Sequence, residues 1–317
     1  MIINGYELLT ELNNKNSGFS KWAFARKNGK TYFIKELLEP IYPVDASVMS
    51  EEMRTRKERL CWDFEEKFTK FYRAINRASH GNLVRIEEFF RYDSHYYVTM
   101  EKVPSAALEV ERISKLDNLT KFVLLRSVAY AFLCLHKACI AHFDVKPDNI
   151  LIQETESGYY SVKIIDFDGG FFLDEPPCGE EIGGDTTYLA PETFLAMMGQ
   201  EVRINEKSDI FSLGLVMHEY FTGRLPYFDK EKYDYLYEVA LEKGFVMPDS
   251  DDMPPILAEC IKRMLDANPE KRPSAQELMD FFTRIVYGNS FSFTTPATEN
   301  QKTTEIETDW FNSAGDL

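Results

Sequence analysis

Apolar and polar positions form short strand-like runs over the first hundred residues, then recur at helical spacing for most of the rest. Tyr32-Phe33-Ile34-Lys35, Leu83-Val84-Arg85-Ile86 and Tyr96-Tyr97-Val98-Thr99-Met100 are β-branched or aromatic runs that predict strands. Asn28-Gly29, between Phe24 and Tyr32, is a hairpin turn signal. One long helix is predicted at roughly 48–78, where Cys61, Phe64, Phe68, Phe71, Tyr72 and Ile75 recur at helical spacing. From about residue 117 the pattern is mostly helical. Its richest apolar stretch, Phe122 to Ile140, is interrupted by Arg126, His136 and Lys137, as in a buried amphipathic helix rather than a membrane span. The fold class is therefore α+β, with a small β-rich lobe at about 1–101 and a larger, mostly helical lobe at about 104–286.

The pattern ends after Val286. The segment 287–317 is dominated by Ser, Thr, Asn, Gln and Glu and is expected to be disordered, with Trp310-Phe311 near its end as a candidate docking motif for a partner.

Composition narrows the range of partners. The net charge of −16 argues against nucleic acid, whose phosphates need a basic surface, and against an anionic membrane. The N-terminus has no basic flank followed by an apolar stretch, so no signal peptide is expected. Cys61, Cys134, Cys139, Cys178 and Cys260 show no paired spacing, which fits reduced thiols in a cytoplasmic protein.

Two segments carry the chemistry. Residues 142–149 read His-Phe-Asp-Val-Lys-Pro-Asp-Asn, and 166–169 read Asp-Phe-Asp-Gly. A carboxylate that can accept a hydroxyl proton (Asp144), a cation (Lys146) and two oxygen ligands for magnesium (Asn149, Asp166) are what phosphoryl transfer from ATP requires. Further on come Ala190-Pro191-Glu192, Ser208-Asp209-Ile210-Phe211-Ser212-Leu213-Gly214 and Lys271-Arg272-Pro273. In this order and spacing, over roughly residues 6–286, the chain resembles the eukaryotic-type (Hanks-type) serine/threonine protein kinases.

The resemblance implies a two-lobed protein-kinase-like fold and ATP-dependent transfer of the γ-phosphate, with Mg2+, to serine or threonine of protein substrates. It implies Asp144 as catalytic base, Lys146 on the transferring phosphate, and Asn149 and Asp166 as magnesium ligands. Lys35 would contact the α- and β-phosphates, paired with a glutamate on the long helix. Of the two adjacent candidates, Glu65 lies about 60° from Phe68 on the apolar face while Glu66 points away, so Glu65 is the expected partner. Ser17, Gly18 and Phe19 would stand in a glycine-poor nucleotide loop. Adenine would hang on the backbone at Glu101, Lys102 and Val103, with Met100 gating the pocket behind. Glu192 with Arg272, and Asp209 beneath the catalytic loop, are expected to be structural.

Five departures from the family pattern stand out. The loop around Gly18 keeps one glycine where the family has three, and Phe33 replaces an alanine and should face the adenine site. Phe143 replaces an arginine that pairs with a phosphorylated loop, so loop phosphorylation is not expected to switch this chain. Asp168 replaces a glycine, with Gly169 and Gly170 following, and Asp185 replaces a threonine. The glycine-poor loop, Phe33 and Asp168 favour one alternative, a pseudokinase serving as a nucleotide-binding or scaffold module. A small-molecule phosphotransferase of the aminoglycoside or choline kinase type is the other, and would be expected to lack the matches at Glu192, Asp209 and Arg272.

Overall fold

The computed structural model describes residues 1–14, 20–44, 49–103, 107–155, 157–179, 182–248 and 252–288. Ser17, Gly18 and Phe19, together with the segment that carries Trp310 and Phe311, lie outside them.

Six antiparallel strands build the N-terminal lobe: β1 (Ile2–Ile3), β2 (Tyr6–Leu8), β3 (Ser20–Lys27), β4 (Lys30–Leu37), β5 (Ile86–Tyr92) and β6 (His95–Glu101), in the order β1-β2-β3-β4-β6-β5. The β3–β4 hairpin closes on Asn28 and Gly29, both at positive φ (51° and 78°), so the two-residue turn follows the twist of its strands. Register then sorts the side chains. Ala23, Ala25, Ile34 and Tyr97 pack on one face with Ile3 and Tyr6. Trp22, Phe24, Phe33, Lys35, Val98 and Met100 share the opposite face, because residues directly opposed across antiparallel strands point the same way. That second face looks toward the site.

The strand predicted at 83–86 shifts. Leu83 makes only an isolated bridge to Ile164, and β5 starts at Ile86. Glu87, Glu88 and Arg91 interrupt its apolar pattern because it is an edge strand with a partly exposed face.

Helix α1 spans Glu51–Ala78, capped by the Ser50 hydroxyl on Met53 N with Glu51 and Glu52 in its first turn. Phe64, Phe68 and Tyr72 pack against Phe89 of β5.

The C-terminal region comprises α2 (Val110–Ser114), α3 (Asn118–Lys137), β7 (Ile140–Ala141), β8 (Ile150–Glu154), β9 (Tyr160–Ile164), β10 (Phe171–Phe172), α4 (Pro191–Met197), α5 (Lys207–Thr222), α6 (Leu236–Lys243), α7 (Pro255–Met264) and α8 (Ala275–Tyr287). By length and composition α3 could cross a membrane, but Phe122, Leu125, Val128, Ala129 and Phe132 are buried in the core of this region. Helix α5 is apolar all round for the same reason. Its Ile210, Phe211, Leu213, Leu215 and Val216 are all fully buried. One large core runs from Phe71 and Met100 through α3 and α5 to Phe281 and Phe282, and binds the two regions together.

Candidate active site

The site lies at the open ends of two short antiparallel strand pairs. Strands β8 and β9 pair from Ile150↔Ile164 to Glu154↔Tyr160, and one bond further on Ile165 N donates to Asn149 O at 3.0 Å. That pairing sets Asn149, just before β8, next to Asp166, just after β9. Strand β7 pairs with β10, so the 142–149 loop and the segment after Asp166 leave the same place.

The 142–149 loop carries backbone strain, with Phe143 at φ 68° and Asp166 opposite it at φ 62°. Side chains in the left-handed region persist where the surroundings over-determine them. Here the determinant is Asp209, on the first turn of α5 and almost completely buried. Its carboxylate accepts from His142 N at 2.9 Å and from Phe143 N at 2.8 Å, with His136 Nε2 at 2.9 Å. His142 adds a second brace. Its Nδ1 accepts from Asp144 N at 3.3 Å, so Nε2 carries the proton and donates to Ile165 O at 2.9 Å.

Held this way, Asp144 is contacted from three directions. Lys146 Nζ reaches its Oδ2 at 2.8 Å, Asn149 Nδ2 reaches the same oxygen at 2.9 Å, and Asp185 N donates to Oδ1 at 3.3 Å. This accounts for Asp185: its backbone meets Asp144, while its carboxylate caps Thr187 N at 2.9 Å. Burial pushes the Lys146 ammonium down, but the Asp144 carboxylate more than offsets that and leaves its pKa raised. A small depression beside Asp144 is lined by Asp185, Tyr188, Leu189 and Thr193.

Lys35 lies across the cleft, with its side chain 4% exposed. Its Nζ bonds Asp166 Oδ1 at 2.6 Å and Asp168 Oδ2 at 2.8 Å. Burial opposes the charge on Lys35, yet the two carboxylates raise its pKa overall. The expected pair with Glu65 does not form. Glu65 accepts from Tyr96 Oη at 2.8 Å and faces Arg91 Nε at 3.7 Å. Helical phase selects Glu65 over Glu66, which pairs with Lys70 on the exposed side, but phase alone does not tell which turn of α1 stands over Lys35. Six residues further along α1, Phe71 packs on Gly170, in the segment that follows Asp166. The Phe71 ring packs so tightly that a Cβ on Gly170 would come within 2.7 Å of its Cζ. Gly170 therefore serves a close approach, not the backbone flexibility suggested by the glycines after Asp168.

Asp168 is the residue that reading by motif missed. It stands out in the sequence as an acid where the family has glycine, and nothing local indicates that it turns back onto Lys35.

On the sheet face above, Phe33 stacks on Trp22 at 5.3 Å and contacts Phe24 edge-on at 5.9 Å. The alternation argument placed Phe33 on the face of Lys35, and the register agrees. Met100 is buried. Glu101 N donates to Arg85 O at 3.1 Å and its carboxylate meets Lys163, while Val103 packs on the core.

The donor chemistry at Asn149 and Asp166 suits magnesium. Asn149 spends its amide nitrogen on Asp144 and keeps an oxygen, and Asp166 offers a second carboxylate oxygen beside the one on Lys35. Magnesium is commonly held by one or two protein oxygens together with substrate phosphates and water. Among the described residues, no group of three or more His, Cys, Asp or Glu gathers as a metal cage, which is consistent with that sparse mode.

Away from the chemistry, Arg272 and Glu192 form a buried bidentate pair, 2.7 Å on each arm. Ser208 Oγ also donates to Glu192, and Lys207 O accepts from Arg272. This brace fastens α4 to the end of α5 and to the turn before α8.

Sequence comparison agrees with the geometry. The protein kinase domain pattern matches residues 49–281. This chain belongs to the protein kinase family. The match starts after Lys35, so that lysine is placed by the fold and not by the family pattern. Relatives of this kinase-family chain include the serine/threonine-protein kinase dkf-1 of Caenorhabditis elegans, 26% identical over 65% of the chain and 28% of its own length. Calcium-dependent protein kinase 27 of Arabidopsis thaliana is 24% identical over 86% of the chain and 53% of its own length. An Aurora kinase of Eremothecium gossypii is 24% identical over 70% and 58%. The chain thus spans less than two thirds of the length of each.

Proposed function

We propose that this chain is a serine/threonine protein kinase that uses ATP and Mg2+. The observation that carries the reading is the convergence of Lys146 and Asn149 on Asp144, with Lys35 against Asp166 across the cleft. Asp144 takes the proton of a substrate hydroxyl, and Lys146 balances charge on the phosphoryl group as it moves. Lys35 steadies the remaining phosphates. Bound Mg2+, held by Asn149 and Asp166, supplies charge neutralisation between phosphates. The depression beside Asp144 gives a protein hydroxyl a place to approach. Lys146, and a relative named as a serine/threonine-protein kinase, favour those hydroxyls as acceptors.

One observation favours the second reading, a nucleotide-binding module without turnover. Trp22 stacks on Phe33 over the face that carries Lys35. The two readings separate with labelled ATP, Mg2+ and a generic protein substrate, with Asp144→Asn as control. Label transferred by the wild type alone supports the kinase. Nucleotide-dependent thermal stabilisation with no transfer supports the module. A small-molecule phosphotransferase is disfavoured by the Glu192–Arg272 brace and by Asp209 beneath the loop.

A further inference from the structure

We propose that Asp168, and not a carboxylate of α1, holds Lys35 in position for phosphate contact. The proposal rests on the kinase reading above and names a positioning residue for it.

A buried ammonium needs a paired anion, because an uncompensated charge in a dry site is strongly disfavoured. Lys35 has two such anions, Asp166 and Asp168. The first is committed elsewhere under the kinase reading. Once a dication shares the Asp166 carboxylate, its charge is divided, and Asp168 is left as the undivided partner of Lys35. Asp168 is itself tethered, since its Oδ2 accepts from Ser20 Oγ at 3.3 Å at the very start of β3. A single carboxylate oxygen therefore links the lysine, the first residue of β3 and the segment just after Asp166.

Helix α1 offers no substitute among the described residues. Glu58 bonds Arg54 at 2.8 Å, Glu66 bonds Lys70 at 2.7 Å, Glu65 is held by Tyr96 and Arg91, and Glu51, Glu52 and Asp63 are exposed. Toward the cluster the helix presents the Phe71 ring and Tyr72, whose hydroxyl is buried with no hydrogen-bond partner. Burial, then the charges of Asp168 and Asp166, push that hydroxyl's pKa up. The α1 side chain that meets this segment is the Phe71 ring on Gly170, not a carboxylate. In kinases generally the lysine waits on a helix glutamate, so helix position controls activity. Here the pair closes within the segment that also carries Asp166, so the state of α1 does not decide whether Lys35 is held.

The test is steady-state kinetics on the full chain, varying ATP, with Asp168→Asn, Asp168→Glu, Glu65→Gln, Lys35→Met and the Lys35→Met/Asp168→Asn double variant. Asp168→Asn is expected to lower kcat between about tenfold and a hundredfold, the range for losing a hydrogen bond to a charged group, with KM for ATP within about threefold. Asp168→Glu restores activity to within about tenfold of wild type, and Glu65→Gln costs less than about threefold. The double variant is no slower than Lys35→Met alone, because the two residues act as one unit. Wild-type kinetics in Asp168→Asn, or a loss on Glu65→Gln matching that of Lys35→Met, would overturn the proposal. If the wild type transfers no phosphate, the kinase reading fails separately. The pairing is then read by NMR of 15N-labelled lysine. A Lys35 Nζ resonance moved by Asp168→Asn and not by Glu65→Gln sustains it, and the reverse pattern overturns it.

Discussion

Replacing Asp209 with Asn changes one atom that the catalytic loop depends on. The carboxylate accepts from His142 N at 2.9 Å and Phe143 N at 2.8 Å while almost completely buried. An amide keeps one acceptor. If its oxygen stays on Phe143 N, its NH2 group faces the His142 N–H, donor against donor. The change loses one hydrogen bond to a charged group and leaves one buried N–H unsatisfied, together about 2–4 kcal/mol. For a domain of this size that lowers Tm by roughly 4–16 °C. Activity should suffer beyond stability, because Phe143 holds a left-handed φ of 68° only while clamped, and Asp144 follows it directly. Below the unfolding transition, kcat is expected to drop at least about tenfold, since small misplacements of a positioned base are costly. Differential scanning calorimetry and initial rates on the same preparation provide the check. A variant within about 1 °C in Tm and twofold in kcat would refute the argument that Asp209 sets the loop.

Three further outcomes follow from the same geometry. Arg272→Met leaves Glu192 buried without its bidentate partner and should cost about 3–5 kcal/mol in denaturant unfolding; a cost under about 1 kcal/mol would contradict the brace. Gly170→Ala drives a methyl into Phe71 and should cost about 1–3 kcal/mol by chemical denaturation, whereas Gly169→Ala, whose nearest neighbour is 3.6 Å away, should cost clearly less; equal costs would refute the close-packing account. Phe143 sits in an apolar cluster with Phe171, Ile182, Ala196 and Ile204, so phosphatase treatment is expected to leave activity within about twofold, and a large loss would show that loop phosphorylation is the switch.

How much of this was readable in the chain depends on whether contacts were local. The Asn28-Gly29 turn and the long helix capped by Ser50 each rest on residues close in sequence, and each formed where expected. Glu192 with Arg272 and Asp209 with the loop are distant pairs, but the family pattern names both partners. The misses around Lys35 share one cause. Lys35 and Asp168 are 133 positions apart, and neither spacing nor helical phase shows which carboxylate folds back onto a given lysine. Phase placed Glu65 on the correct side of α1, yet its side chain went to Tyr96, and it is Phe71, further along the same helix, that packs on Gly170 after Asp166. Strand β5 was displaced for a different reason, since charged residues on an exposed edge erase the alternation that marks a strand.

The central claim is that the charges gathered around Asp144 make a hydroxyl-directed phosphotransferase. It is tested most directly by identifying the phosphorylated residues after wild type and Asp144→Asn are each incubated with ATP, Mg2+ and a peptide library containing Ser, Thr and Tyr. The expected result is phosphoserine and phosphothreonine from wild type alone. Equal signal from both proteins, none from either, or phosphotyrosine only would contradict the claim.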